Sequence, residues 1–396
     1  VRYQFGPFHL DVRERRLSRG DELIPLRLKV FDTLLVLIAN AGRLVTKQEL
    51  LDAVWPETAV EENNLNHNVS VLRKALGERV TGQQYIETVP RVGYRFAAPV
   101  EALAIPARPT VVSGSAAKMR QEIRYCTTRD DVRLAYATTG DGPPLVKASN
   151  WLTHLDFEWE SPIWRHWYAE LSRHHRLVRY DERGNGMSER GVGNVSFDTW
   201  VRDLETVVDA AALDRFPLLG ISRGGAIAIA YAVKHPERVT RLVLYGAFAA
   251  GLNHWGTPQQ IEARRALTSL VRLGWGLNNP AFCKTFTCRF IPEATPAHEQ
   301  WFDQLQRVST SPENAARLME RDDDINVRPL LSRVKAPTLV IHCDKDQAVV
   351  PERGRELAAA IPGARYVSLP SVNHLMLEDE RAWALFLEEV GLFLNW

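Results

Sequence analysis

The stretch whose residue types could do chemistry is Gly220-Ile221-Ser222-Arg223-Gly224, a Gly-x-Ser-x-Gly pattern. An apolar run, residues 216–219, precedes it and reads as a buried strand, while small and apolar residues from Ala226 to Ala232 follow at helical spacing. A strand that turns sharply into a helix at this pattern presents the serine hydroxyl at the tip of the turn. Gly220 and Gly224 are expected where strand and helix nearly collide, so that a side chain would block the turn. A serine hydroxyl is a poor nucleophile near neutral pH and needs a base within hydrogen-bond reach, itself oriented by an acid. Acyl transfer of this kind also needs backbone N–H donors for a developing oxyanion, and the amide of Arg223 is the first of them.

The elements that must position these residues belong to a chain of 396 residues, long enough to expect two domains. It is 45% hydrophobic and 24% charged with a net charge of +1, the composition of a soluble globular protein. No apolar run is long enough to cross a bilayer and no signal-peptide pattern opens the sequence, so a cytoplasmic protein without a membrane partner is expected. Cys126, Cys283, Cys288 and Cys343 lie far from any zinc spacing; free thiols are expected, with no metal and no cofactor. Residues 101–118 are rich in Ala, Pro, Val and Ser and read as a linker. The expected domains are therefore 1–100 and 120–396, joined by 101–119.

Residues 3–27 alternate apolar and polar in short runs, as in a small antiparallel sheet, with a hairpin turn at Arg19-Gly20-Asp21. Phe31, Leu34, Leu35 and Ile38 mark one face of a helix, and Thr46 with Glu49 forms a capping box for a short second helix that Trp55-Pro56 closes. A third helix carries Leu65, Val69, Leu72 and Leu76 on one face; Asn66, His67, Ser70, Val71, Arg73 and Lys74 fall on the others. Residues 85–89 and 93–96 then form a hairpin with Pro90-Arg91-Val92 at its tip. Sheet, three helices and hairpin make a winged helix-turn-helix. The runs Val69-Ser70-Val71-Leu72-Arg73-Lys74-Ala75-Leu76-Gly77 and Ile86-Glu87-Thr88-Val89-Pro90-Arg91-Val92-Gly93-Tyr94-Arg95-Phe96 resemble the effector domain of OmpR-type regulators, in its ToxR/CadC-like branch. The resemblance covers nearly all of residues 2–98. It implies that the third helix enters the major groove of double-stranded DNA through Asn66, His67, Ser70, Arg73 and Lys74, and that Arg91 on the wing reaches the backbone or minor groove. The charge of this segment is slight, 14 Lys and Arg against 12 Asp and Glu in residues 1–100. A homodimer is one arrangement that the motif allows.

From about residue 121 strand and helix signals alternate, which predicts a mostly parallel, doubly wound α/β sheet. With the serine turn and Asp181-Glu182-Arg183-Gly184-Asn185-Gly186-Met187-Ser188, residues 121–396 resemble an α/β-hydrolase. That likeness implies the chain order serine, acid, histidine. Cys343-Asp344-Lys345-Asp346 resembles the loop bearing the acid, with Cys343 where glycine is usual; Asp346 matches the acid and Asp344 is the alternative. His374, after the last strand, matches the base. The second oxyanion donor normally follows a His-Gly pair; here the stretch reads Lys147-Ala148-Ser149-Asn150-Trp151, so the amide of Trp151 would donate. Asn150, His154 and Phe157 are the candidates for the pocket wall, while Trp164, Trp167 and Leu171 share a helix face suited to core packing. Residues 247–328 are too long for a crossover and read as a helical cap over an apolar pocket, with Leu270, Phe282 and Met319 among its apolar residues.

The combined expectation is a one-component transcriptional regulator: a winged helix reading DNA, joined to a domain that senses, and hydrolyses, a small apolar ester, lactone or similar acyl ligand. Two alternatives stay open. One is a cytosolic serine esterase whose winged helix serves localisation or protein binding. The other is a ligand receptor of the same fold without turnover.

Overall fold

The computed structural model describes residues 2–11, 16–20, 22–24, 26, 28–54, 62–78, 84–90, 92–103, 120–275 and 286–396. Asp21, Trp55, Pro56, Arg91, residues 104–119, Phe282 and Cys283 lie outside them. The chain divides into two units, Val1–Ser115 and Ala116–Trp396.

In the first unit, strands β1 (Arg2–Phe5), β2 (Phe8–Asp11), β3 (Arg16–Arg19) and β4 (Glu22–Ile24) form the expected antiparallel sheet. Helix α1 (Leu28–Ala39) follows, then β5 (Leu44–Thr46), α2 (Lys47–Val54) and α3 (Glu62–Ala75). Strands β6 (Ile86–Val89) and β7 (Gly93–Phe96) make the hairpin, and β7 also pairs with β5. The capping box is present: the Thr46 amide donates to Glu49 Oε2 at 2.7 Å and the Glu49 amide to Thr46 Oγ1 at 3.2 Å. The apolar face of α3 is fully covered, with Leu65, Val69, Leu72 and Leu76 packed against Leu34 and Ile38 of α1 in one core. The first three residues of the expected linker are structured. Residues Glu101–Leu103 are a strand, β8, which pairs with β1 and completes the order β4-β3-β2-β1-β8. Three residues with no alternation of their own become a strand because β1 offers them an open edge.

The second unit is built on an eight-stranded sheet. Its strands are β9 (Glu122–Thr127), β10 (Arg133–Thr139), β11 (Pro144–Lys147), β12 (Arg176–Tyr180), β13 (Phe216–Ile221), β14 (Val239–Tyr245), β15 (Thr338–Cys343) and β16 (Arg365–Leu369). The order is β16-β15-β14-β13-β11-β12-β10-β9, parallel from β12 through β16 and antiparallel at β9 and β10. Chain order reverses where β11 lies between β12 and β13, and at such a point the loops from neighbouring strand ends diverge and leave a crevice. Between β14 and β15 the described part of the cap has helices Pro258–Gly274, Pro296–Ser309 and Pro312–Asp323. Each starts with proline in its first turn behind a capping Thr257, Thr295 or Ser311, the hydroxyl accepting from the amide three residues on. Trp164, Trp167 and Leu171 are buried as expected, although Trp164 also reaches the cavity floor. No helix among the described residues is long and apolar enough to cross a membrane.

Candidate active site and DNA face

Ser222 ends β13 and opens the helix Arg223–Lys234 with φ 52° and ψ −126°. A non-glycine residue in this region stores strain of about 1–3 kcal/mol and persists only where its surroundings impose it. The surroundings here are glycines in contact with backbone. A Cβ on Gly220 would stand 2.6 Å from Gly225 Cα, whereas one on Gly224 would meet Ser149 O at 2.8 Å, so Gly224 is small to admit the β11 loop. Gly225, not singled out by the motif, faces the Ala247 side chain equally closely. We therefore expect Gly220→Ala to lower the urea midpoint, at a cost of about 1–3 kcal/mol, because only backbone can yield.

His374 is buried, and its Nδ1 lies 2.6 Å from Asp346 Oδ2. The carboxylate fixes the tautomer with hydrogen on Nδ1, which leaves Nε2 with its lone pair free; Nε2 is buried without a partner among the described residues. Asp346 Oδ1 accepts from the amides of Ala348 (2.8 Å) and Val349 (3.0 Å). Burial pushes the Asp346 carboxyl up, but His374 and the Val349 amide outweigh it and leave it below its ordinary value. Asp344, the alternative acid, points to solvent. Cys343 is fully buried under Tyr245, whose hydroxyl donates to His374 O at 2.9 Å. Burial pushes the Cys343 thiol up to about 12, so it is no rival nucleophile. Phe290 O, in the cap, accepts from the His374 amide at 2.9 Å and the Leu375 amide at 3.2 Å, strapping the base loop to the cap.

Among the described residues, the amides of Trp151 and Arg223 have no backbone acceptor outside their own elements. Asn150 is buried and accepts from the buried Lys147 ammonium, which holds the loop after β11 in place of the usual His-Gly geometry. Burial pulls that ammonium down to about 8, against the carboxylate of Glu158. The Arg223 side chain is buried as well: its guanidinium bridges Glu182 and Asp322 and lies over the Trp200 ring at 4.3 Å. Arg183 is structural, with a two-pronged pair to Asp203 and a second to Asp130.

Ser222 and His374 line one cavity of about 500 Å³, whose wall includes Asn150, Trp151, Leu267, Phe286, Phe302 and Met319. His154 and Phe157, expected in that wall, are not part of it. His154 Nδ1 instead accepts from the Phe157 amide and caps the helix Leu155–Trp159, while the Phe157 ring stacks on Trp301 at 5.1 Å. The cavity-lining arginines and acids of the cap carry no periodic signal and were invisible in the sequence.

On the first unit, His67, Ser70 and Lys74 are exposed on α3. Asn66 is exposed too, but its Oδ1 accepts from the Tyr94 hydroxyl at 2.7 Å. Arg73 turns back onto the hairpin, donating to Ile86 O (2.8 Å) and Thr88 Oγ1 (2.7 Å) and pairing with Glu78 at 3.4 Å. Its first job is thus to fasten α3 to the wing. Arg73→Ala is expected to lower the unit's melting temperature, with about 1 kcal/mol lost, before any effect on DNA is measured.

Residues 157–381 match the family described as alpha/beta hydrolase fold, more than half of the chain. The chain belongs to the alpha/beta hydrolase family. Its N-terminal unit is a winged-helix, DNA-binding regulator domain: residues 20–96 match the family described as transcriptional regulatory protein, C terminal. The hydrolase unit is similar to the AB hydrolase superfamily protein YisY of Bacillus subtilis, at 28% identity over 65% of this chain and 94% of that protein. It is also similar to the 2-hydroxymuconate semialdehyde hydrolase of a Pseudomonas species, at 32% identity over 58% of this chain and 80% of the relative. Among solved structures, an enol-lactonase from Burkholderia xenovorans superposes with a TM-score of 0.57 at 28% identity, covering 69% of this chain and all of that one.

Proposed function

We propose that this alpha/beta hydrolase is a one-component transcriptional regulator, acting in the cytoplasm on double-stranded DNA, whose hydrolase unit senses and hydrolyses a small apolar ester, lactone or similar acyl compound. The observation that carries the reading is the divided environment of His374: one ring nitrogen on a buried carboxylate, the other unpartnered beside the cavity that Ser222 lines. In this reading Ser222 Oγ attacks the acyl carbon as His374 Nε2 takes its proton, and Asp346 stabilises the imidazolium. The amides of Trp151 and Arg223 receive the oxyanion, each such donor being worth about 2.7–4 kcal/mol in the transition state. The C–O bond to the leaving group breaks as His374 returns the proton, and water then cleaves the acyl-serine by the same route. The hydrolase relative supports hydrolytic chemistry, and the likeness to an enol-lactonase supports an acyl substrate. A fluorophosphonate should label Ser222 and no residue of Ser222→Ala; a wild type left unlabelled counts against the reading.

On DNA, His67, Ser70, Lys74 and Arg91 are the proposed contacts of the winged helix, with Asn66 and Arg73 supporting the wing. A ligand alters operator affinity only by binding the DNA-competent and incompetent states unequally, and such couplings are about 1–3 kcal/mol. Operator affinity is therefore expected to shift about five- to 150-fold with a pocket ligand. Ser222→Ala should hold the ligand-bound state for longer, because the signal is no longer hydrolysed. The second reading, a hydrolase whose winged helix localises it, is favoured by the engagement of Asn66 and Arg73 within their own domain. Equal operator affinities for both proteins, with and without bound ligand, would leave that second reading standing.

A further inference from the structure

The cavity over Ser222 is apolar over most of its wall yet holds four guanidinium groups: Arg223, Arg264, Arg289 and Arg353. Three are matched by carboxylates, Arg223 by Glu182 and Asp322, Arg264 by Asp323, and Arg353 by Glu356. Arg289 has no carboxylate partner among the described residues. Its hydrogen bond runs from Nη2 to Ala348 O at 3.4 Å, the long limit of such a contact. Arg289 lines the cavity from an exposed position, where partial desolvation and the like charge of Arg264 hold its guanidinium below its ordinary value against the pull of the Asp323 and Asp346 carboxylates, so that it can still gain from an incoming anion.

The position of Arg289 is as telling as its lack of a partner. It precedes Phe290, whose carbonyl straps the His374 loop and whose ring lies 5.7 Å from the His374 ring. Ala348, on which Arg289 leans, gives its own amide to Asp346. Arg289 therefore stands on the cap side of the cavity, at its acid–base end, with Trp151 and Phe286 providing apolar wall.

We propose that Arg289 anchors a carboxylate on the ligand, so that the cavity takes acyl compounds that also carry an anionic group, such as half-esters of short dicarboxylic acids or lactones bearing a carboxyl group. A planar guanidinium with paired donors suits a carboxylate, and apart from its long contact with Ala348 O the Arg289 side chain has no hydrogen bond among the described residues. The proposal rests on the reading of Ser222 as the acyl acceptor for its substrate class, but the anchor is a binding claim and can be tested separately.

The test compares mono-p-nitrophenyl glutarate with p-nitrophenyl pentanoate, acyl chains of equal length that differ in a terminal carboxylate against a methyl. After subtraction of spontaneous hydrolysis, wild type should favour the glutarate by about tenfold or more in kcat/KM, the size expected of a charge-assisted hydrogen bond. Arg289→Gln should bring the ratio to about 1 through KM, and Arg289→Lys should recover part of the preference. A wild type that prefers the pentanoate, or a ratio unmoved by Arg289→Gln, overturns the anchor. So does an equal fall for both esters, which would assign Arg289 to the electrostatics of Asp346. If wild type turns over neither ester, the hydrolytic reading fails by itself, and the anchor is judged by calorimetry with monomethyl against dimethyl glutarate. Tighter binding of the monoester that Arg289→Gln abolishes supports it; equal affinities, or binding of neither, overturn it.

Discussion

Ser222→Ala is expected to lower kcat for p-nitrophenyl esters by up to about 10⁶-fold where chemistry limits turnover. The size follows from the way the proposed triad works as a unit. Without the hydroxyl there is no acyl intermediate, and His374 Nε2, which has no partner among the described residues, is left with no proton to take. What survives is binding and the oxyanion amides, which in comparable enzymes retain a residual 10³–10⁴-fold advantage over water. His374→Ala should therefore be about as damaging as Ser222→Ala, and the double variant little worse than either. The backbone angles of Ser222 are as strained for alanine as for serine, so the melting temperature should barely move. Equal rates for wild type and Ser222→Ala would remove catalysis from the proposed function and leave the sensor.

The largest expected effect on stability is that of Arg183→Met. The Arg183 and Asp203 side chains are fully buried and 2.6 Å apart, and Asp130 completes the pairing from a more exposed position. Removing one member of a buried pair strands the other, at a cost of about 3–5 kcal/mol. Burial lifts the Asp203 carboxyl above its ordinary value, although the Arg183 guanidinium pulls it back. Loss of the guanidinium lifts it further. An acid raised in the folded state holds its proton more tightly there than in the unfolded chain, so its contribution is favourable below the unfolded value and is lost as pH rises through the folded one. The deficit of Arg183→Met should consequently be smaller at about pH 5 than at about pH 8 in urea titrations. Adding Asp203→Asn should recover part of it, because the stranded charge is gone. A deficit independent of pH would mean that packing, and not the carboxylate, carries the loss.

Where the sequence was informative, the reason was local. The turn at Ser222 needs small residues at fixed offsets, and apolar strand runs alternate with helical segments, so the hydrolase sheet and both expected families could be read in advance. The failures involve partners distant in sequence or a competing local use. Arg73 lies on a helix face that looks free until the hairpin returns beneath it. His154 looked like a ligand contact, yet a ring nitrogen just ahead of a short helix can serve as its cap, and three residues on Phe157 supplies the amide. Residues 101–103 carry no strand pattern because their pairing partner, β1, is the opening strand of the chain. Gly225 was passed over because its neighbour, Ala247, comes from the following strand's loop. Arg289 gave no signal at all, since an unpaired charge is a property of a cavity and not of a spacing.

Arg223 has a consequence for how such a protein diversifies. Its amide stands next to the nucleophile, while its guanidinium is held by Glu182 from the loop after β12 and Asp322 from the last cap helix. A cap borrowed from a relative without an acid at the position of Asp322 would leave that buried guanidinium short of a partner, one residue from Ser222. Exchange of the cap is therefore constrained by this pair of contacts. The turn and the helix that answers it have to be inherited together, so new specificities are expected to arise by substitutions within the existing cap and not by its replacement.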